Sequence, residues 1–255
     1  MTKKRLVPWL LLLLACSVPQ NASAESPPRG GPPIRVLFIG NSYTYCNDLP
    51  GMLARLAAAG GIRAETAMAA VGGWTLAAHA ASVQTLQTIH GTPWNYVVLQ
   101  EQSEVPAIER ARVGSMYPAV RSLVQAIAAA GGTPLLFLTW GHREGLPGEG
   151  CMDFESMQRE LAKGYTRIAQ ELEVGVAPVG TAWQQARKQQ PQTNLWEADG
   201  SHPNIQGSYL AACVLYATMF KTSPVALSYI AGLPNERARV LQSIAEEVVL
   251  NKRTR

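Results

Sequence analysis

The stretch IRVLFIGNSYT, residues 34–44, decides how the rest of the chain reads. Apolar and β-branched side chains dominate residues 34–39, the run stops at Gly40, and the polar pair Asn41-Ser42 follows at once. A segment apolar on both faces is the mark of a buried parallel strand. In an open α/β sheet, the carboxyl edge of such strands is where ligands and reactive groups collect. Ser42 stands at that edge. Residues 43–59 carry Leu49, Met52, Leu53 and Leu56 at roughly helical spacing, so the turn feeds a helix whose first backbone amides could help hold an oxyanion. Asn and Ser are also common helix caps, and the pair by itself does not choose between the two uses.

The chain downstream alternates in the same way. Residues 62–69 form a weak strand that ends in Val71-Gly72-Gly73-Trp74, and a helix is expected over 75–89. Tyr96–Leu99 is a short apolar strand running into Gln100-Glu101-Gln102-Ser103, followed by a helix over 116–130 and a strand over 134–140. The loop 141–150 is polar and Gly-rich. Then come a helix over Phe154–Leu172, a strand over 174–179, and helices over 181–188, Ile205–Phe220 and 236–250. Five strands alternating with helices specify an α/β fold, a three-layer α/β/α sandwich around a parallel five-stranded sheet, in one domain over residues 34–255.

Residues 1–24 read as a secretory signal: Lys3, Lys4 and Arg5, a short apolar run, then Ala22-Ser23-Ala24. The apolar run is too short for an ordinary membrane span. The expectation is an exported protein, periplasmic or secreted, with residues 25–33 as a Pro- and Gly-rich linker. Leu13-Leu14-Ala15-Cys16 offers the alternative of a lipid anchor at Cys16, giving a membrane-anchored lipoprotein. Most of the formal charge of +4 belongs to the leader. Nothing in the balance calls for nucleic acid or an anionic membrane as a partner. Of the remaining cysteines, Cys46 and Cys151 both fall just beyond expected strand ends and form the candidate disulfide. Cys213 lies in an apolar helix. No cysteine has the paired spacing of a zinc site, and neither a metal nor an organic cofactor is called for.

The chemistry is expected from residues far apart in sequence. The chain has four histidines, and only Asp199-Gly200-Ser201-His202 sets an Asp and a His side by side in a polar loop. An Asp three residues before a His can accept its Nδ1 proton and leave Nε2 free as the base for a serine hydroxyl. Gly72-Gly73 lets a backbone amide approach a ligand closely, and Gln102 or Gln100 could donate a side-chain amide. Ser42, Gly73, Gln102 and His202 all fall at the same edge of the expected sheet.

GNSYT, VGGWTL, VVLQEQS and DGSHPN resemble blocks I, II, III and V of the SGNH (GDSL-like) hydrolase superfamily, in the branch that begins with GNS. The resemblance runs from Ile34 to about Phe220 and implies a flavodoxin-like strand order. It also implies Ser42 as nucleophile, His202 as base, Asp199 as its partner, and the Ser42 and Gly73 amides as oxyanion donors. Asn41 stands where the GDS motif has an acid. Block III normally supplies an Asn, whereas QEQS stands here, which leaves the third donor between Gln102 and Gln100. The G-x-S-x-G elbow of the α/β-hydrolases does not occur, since position 44 is Thr.

Trp74, Trp140 and Trp196 lie next to strand ends or the catalytic loop and, with Gln100 and His142, are candidate substrate-lining residues. Their rings suit stacking on a sugar, or packing beneath the loops. His79 and His90 read as structural. The expected function is a serine esterase acting by acyl transfer on a small-molecule or carbohydrate ester, with O-acetyl or another short acyl group. The alternatives are a lysophospholipase or thioesterase, or a non-catalytic binding module on the same fold.

Overall fold

The computed structural model describes residues 31–148 and 152–251. The leader, most of the linker, Cys16 and Cys151, the second half of the expected disulfide, lie outside these residues.

Five parallel strands, β1 (Ile34–Gly40), β2 (Ala64–Ala70), β3 (Tyr96–Leu99), β4 (Thr133–Phe137) and β5 (Gly175–Ala177), are ordered β2-β1-β3-β4-β5. In register, Phe38 sits beside Met68 on one side and Val98 on the other, and Val98 beside Leu135. The period of two in the strands divides β1 between two cores. Val36 and Phe38 enter one apolar cluster, Leu37 and Ile39 the other, and all four are fully buried. A continuous apolar run was therefore required at residues 36–39, because both faces of the sheet are covered.

Helices α1 (Ser42–Tyr45) and α2 (Leu49–Ala59) follow β1, and α3 (Leu76–Ala80) and α4 (Val83–Gly91) follow β2. Next come α5 (Glu109–Ala111) and α6 (Tyr117–Ala129), linked by a wider helical turn at Arg112–Met116. Last are α7 (Phe154–Leu172), α8 (Val179–Gln189), α9 (Ile205–Phe220) and α10 (Asn235–Val249). Helix α9 is buried along nearly its whole length between α2, α8 and α10, as its all-round apolar sequence requires.

Two expected helices are broken. The helix over 43–59 is interrupted at Asn47 and Asp48, which adopt left-handed backbone angles (φ 55° and 54°) that Asn and Asp tolerate better than most residues. The break frees Asn47 to donate from Nδ2 to Pro203 O and Ser208 Oγ, both at 2.9 Å, and lets Asp48 cap α2 through Gly51 N. The helix over 75–89 splits where Ser82 caps α4. In both places a polar side chain gains more from tertiary or capping hydrogen bonds than from continuing the helix.

The carboxyl edge of β1 is closed by contact. A Cβ at Gly40 would collide with Gln100 Oε1 and Thr44 Oγ1, so the residue before Asn41 has no room for a side chain. Gly40→Ala is expected to cost about 1–3 kcal/mol of stability, the usual penalty for overpacking. Urea unfolding would show it as a lower midpoint with an unchanged slope.

Candidate active site

Ser42 is the first residue of α1, and Asn41 caps that helix by accepting the Tyr43 N–H on Oδ1 at 3.1 Å. The Asn41 Nδ2 donates to Trp74 O at 3.0 Å, tying the β1 turn to the loop after β2. The acid of the related motif is thus replaced here by an amide that can both accept and donate.

Across the site, Ser42 Oγ lies 2.8 Å from His202 Nε2, and His202 Nδ1 lies 2.6 Å from Asp199 Oδ2. The other Asp199 oxygen accepts the Ser201 and His202 N–H groups at 2.9 Å each. With Nδ1–H donated to the carboxylate, Nε2 is left to accept the serine proton. Burial works against the Asp199 charge. The Ser201 N–H, the imidazole and the His202 N–H outweigh it and hold the carboxyl below its usual range.

Tyr43, next to the serine, was not singled out from sequence and is central. Its hydroxyl meets Ser201 Oγ at 2.6 Å, its ring stacks on Trp140 at 4.6 Å, and the His202 ring meets it edge-on at 5.6 Å. Burial pushes the phenol up to about 12, so it stays neutral. Trp140 stacks in turn on Trp183 at 4.1 Å, and Trp183 meets Trp196 edge-on at 4.9 Å. Arg187 lies over the Phe154 and Trp196 rings at the far end.

This stack corrects the expectation that Trp140 and Trp196 line a substrate cleft. They are 0% and 3% exposed and form the floor under the loop. Trp140 Nε1 donates to Ser201 O at 3.0 Å and Trp196 Nε1 to Gly141 O at 3.1 Å, so each indole has its polar tip satisfied by backbone and its rings by other rings. Gln100 is corrected likewise: it is fully buried, Oε1 accepts from Asn41 N (2.9 Å) and Thr44 Oγ1 (2.9 Å), and Nε2 donates to Glu101 O. It is no free donor and lines nothing. Trp74 is half-buried, edge-on to His79 at 5.0 Å, and remains at the surface of the site. His142 is also half-buried. Burial lowers its imidazole, which lies within electrostatic reach of Glu104, Asp199 and His202, and its Nε2 has no hydrogen-bond partner among the described residues.

Of the expected oxyanion donors, the Ser42 and Gly73 N–H groups have no acceptor among the described residues. Gly73 is exposed and takes φ +74°, in a turn closed by Trp74 N donating to Val71 O at 3.1 Å. A residue with a Cβ would be strained there. Gln102 has its Oε1 committed to the Glu104 and Val105 N–H groups at 2.8 and 3.2 Å, and among the described residues its Nε2 makes only a long contact of 3.4 Å with Ser103 Oγ. Its carbonyl end is anchored and its amide end is loosely held.

Glu101 was also passed over in the sequence. It is fully buried, its Oε1 accepts Gln102 N at 2.7 Å and Leu76 N at 3.0 Å, and its Oε2 has no partner among the described residues. Burial pushes its carboxyl up to about 7, against an ordinary 4.5, despite the two N–H donors. Between those values the folded protein keeps a proton that the unfolded chain has released, so this group makes stability fall as pH rises through that window and has no effect outside it. The loss is on the order of 3 kcal/mol. The unfolding free energy of the protein minus that of Glu101→Gln, followed by urea titration from about pH 4 to pH 8, is expected to decline by that amount. A flat difference would contradict it.

Searches against protein-family models and against curated proteins return no match. Solved structures do match. A protein from Slackia heliotrinireducens described as an SGNH hydrolase is 32% identical, with 74% of this chain and 100% of that chain covered and a TM-score of 0.63. A DUF4886 family protein from Bacteroides uniformis is 20% identical, with coverage of 86% and 95% and a TM-score of 0.75. The psychrotrophic esterase EstA from a Pseudoalteromonas species, inhibited by monoethylphosphonate, is 14% identical, with coverage of 74% and 97% and a TM-score of 0.52. The last two show a shared fold. By the first, the chain belongs to the SGNH hydrolase superfamily, and it is a hydrolase of that α/β fold.

Proposed function

We propose that the chain is an exported serine esterase that cleaves carboxylic esters by acyl transfer through Ser42, His202 and Asp199. The observation that carries this reading is the unbroken hydrogen-bond chain from Ser42 Oγ through the imidazole to the Asp199 carboxylate.

In this mechanism His202 Nε2 takes the Ser42 proton as Oγ attacks the ester carbonyl. The carbonyl oxygen becomes an oxyanion facing the Ser42 and Gly73 N–H groups. His202 then protonates the departing alcohol, and the acyl group stays on Ser42. Water, deprotonated by the same imidazole, releases the acid and restores the serine. Asp199 stays ionised throughout and stabilises the imidazolium. Gln102 Nε2, held by one long contact, is the candidate third donor.

For the substrate we propose a short acyl group, such as acetyl, on a carbohydrate. Trp74 supports this reading, since its half-buried ring lies one residue from Gly73 and suits stacking against a sugar face. Export rests on the leader-like residues 1–24.

Ser42→Ala is expected to lower release of p-nitrophenol from its acetate by at least ~10⁴-fold, and Asp199→Asn by about 10⁴-fold. A fluorophosphonate should label the protein at Ser42, located by peptide mass spectrometry, and should not label Ser42→Ala. An unlabelled wild-type protein would remove the acyl-transfer mechanism. A preference for long acyl chains over acetyl would remove the carbohydrate-ester assignment and leave the nucleophile in place.

A further inference from the structure

Two fully buried polar residues lie side by side at the end of β3, and each reaches a different catalytic loop. The Gln100 amide oxygen accepts the Asn41 N–H and the Thr44 hydroxyl, so it grips the turn that carries Ser42. The Glu101 Oε1 accepts the Leu76 N–H, the first amide of α3, three residues after Gly73. It accepts Gln102 N as well, which fixes the carboxyl plane against its own strand end. The pair is locked internally by Gln100 Nε2 donating to Glu101 O, and from behind by the Tyr165 hydroxyl at 3.1 Å from Glu101 N. Gly40 has no Cβ, which is the condition for Gln100 to approach the β1 turn so closely.

We infer that Gln100 and Glu101 form a positioning brace that sets the separation of the two oxyanion amides, Ser42 and Gly73, with Glu101 as its arm on the Gly73 loop. This inference rests on the acyl-transfer reading above.

The physical case is one of reach. Ser42 follows β1 and Gly73 follows β2, and the two loops share direct ties through Asn41 Nδ2 to Trp74 O and Val71 N to Gly40 O. Those ties hold the near side of the Gly73 turn. Its far side, where the chain enters α3, is held by Glu101 Oε1 and by His79, whose Nε2 lies 2.8 Å from Gly40 O and whose Nδ1 lies 3.0 Å from Thr85 Oγ1. Without the carboxyl the Leu76 N–H is a buried donor with no acceptor, and the loop must shift or hydrate to satisfy it. An oxyanion donor is useful only at hydrogen-bond distance from the developing charge, so a displacement of about 1 Å weakens transition-state binding while leaving ground-state binding of the ester nearly intact.

Among the described residues only one of the two Glu101 oxygens takes part, and glutamine supplies that oxygen. Glu101→Gln therefore keeps the one oxygen that accepts both N–H groups, Glu101→Asp retracts the carboxyl by one methylene, and Glu101→Ala deletes it. In wild-type protein first shown to be labelled at Ser42 by a fluorophosphonate, kcat and KM for p-nitrophenyl acetate are measured for all three variants. Thermal midpoints are recorded alongside.

The expected result is that Glu101→Asp and Glu101→Ala lower kcat by roughly 10- to 100-fold, with KM nearly unchanged, and that Glu101→Gln restores kcat to within a few-fold of wild type. Wild-type kcat in a folded Glu101→Asp or Glu101→Ala protein would overturn the brace. So would losses that track the thermal midpoint equally in all three variants. If neither truncated variant folds, amide hydrogen exchange in the wild-type protein decides. Protection is expected at Leu76 N–H and Gln102 N–H, with fast exchange at Gly73 N–H, and fast exchange at Leu76 would overturn the inference. Absence of fluorophosphonate labelling in the wild type would instead defeat the esterase reading itself.

Discussion

The hydrogen bond between Ser42 Oγ and His202 Nε2 joins residues 160 apart in the chain, and the rest of the site is arranged to keep those two atoms within 2.8 Å. The serine is fixed by the strand that precedes it, since β1 is buried on both faces and cannot slide without exposing one apolar set. The imidazole sits on a loop, and a loop needs separate anchors. Asn47 holds its far end through Pro203 O, Trp140 and Tyr43 hold Ser201 from below, and Arg143 N donates to Gly200 O at 2.7 Å. Each anchor comes from a segment at the same sheet edge, so parallel topology is what lets one loop be held from several sides at once.

The anchors are of two kinds. One is apolar: the row Tyr43, Trp140, Trp183 and Trp196 fills the space beneath the loop, and the Trp140 and Trp196 indole N–H groups orient it by ending on backbone carbonyls. The other is polar and buried, with Asn41, Gln100, Glu101 and His79 exchanging hydrogen bonds among the ends of β1, the loop after β2 and the end of β3. A buried carboxyl is costly, and its cost is offset here only in part by two backbone donors, which is why Glu101 holds its proton toward neutral pH. Its Oε1 nonetheless ties the first amide of α3 to the end of β3.

The elements most legible in the sequence were those with one clear period. The apolar run of β1, Phe154–Leu172 and Ile205–Phe220 all appear where their patterns place them. Two of the features misjudged depend on distant partners. The break at Asn47 and Asp48 depends on Pro203 and Ser208, and the burial of Trp140 and Trp196 depends on Trp183, a residue with no distinguishing motif around it. Gln100 looked like a donor because its type allows donation. Only its surroundings show that its oxygen and its nitrogen are both already taken.

The sequence by itself determined the alternation of strands and helices, the place of Ser42 at a strand end, and the local pairing of Asp199 with His202. Periodicity and short-range spacing carry those facts, and both are written along the chain. Tertiary structure alone decided that the imidazole reaches the serine, that the tryptophans lie under the site instead of around it, and that Gln100 and Glu101 grip two loops. Those outcomes depend on which side chains meet across the sheet edge, and a contact between residues dozens of positions apart leaves no local pattern for the sequence to show.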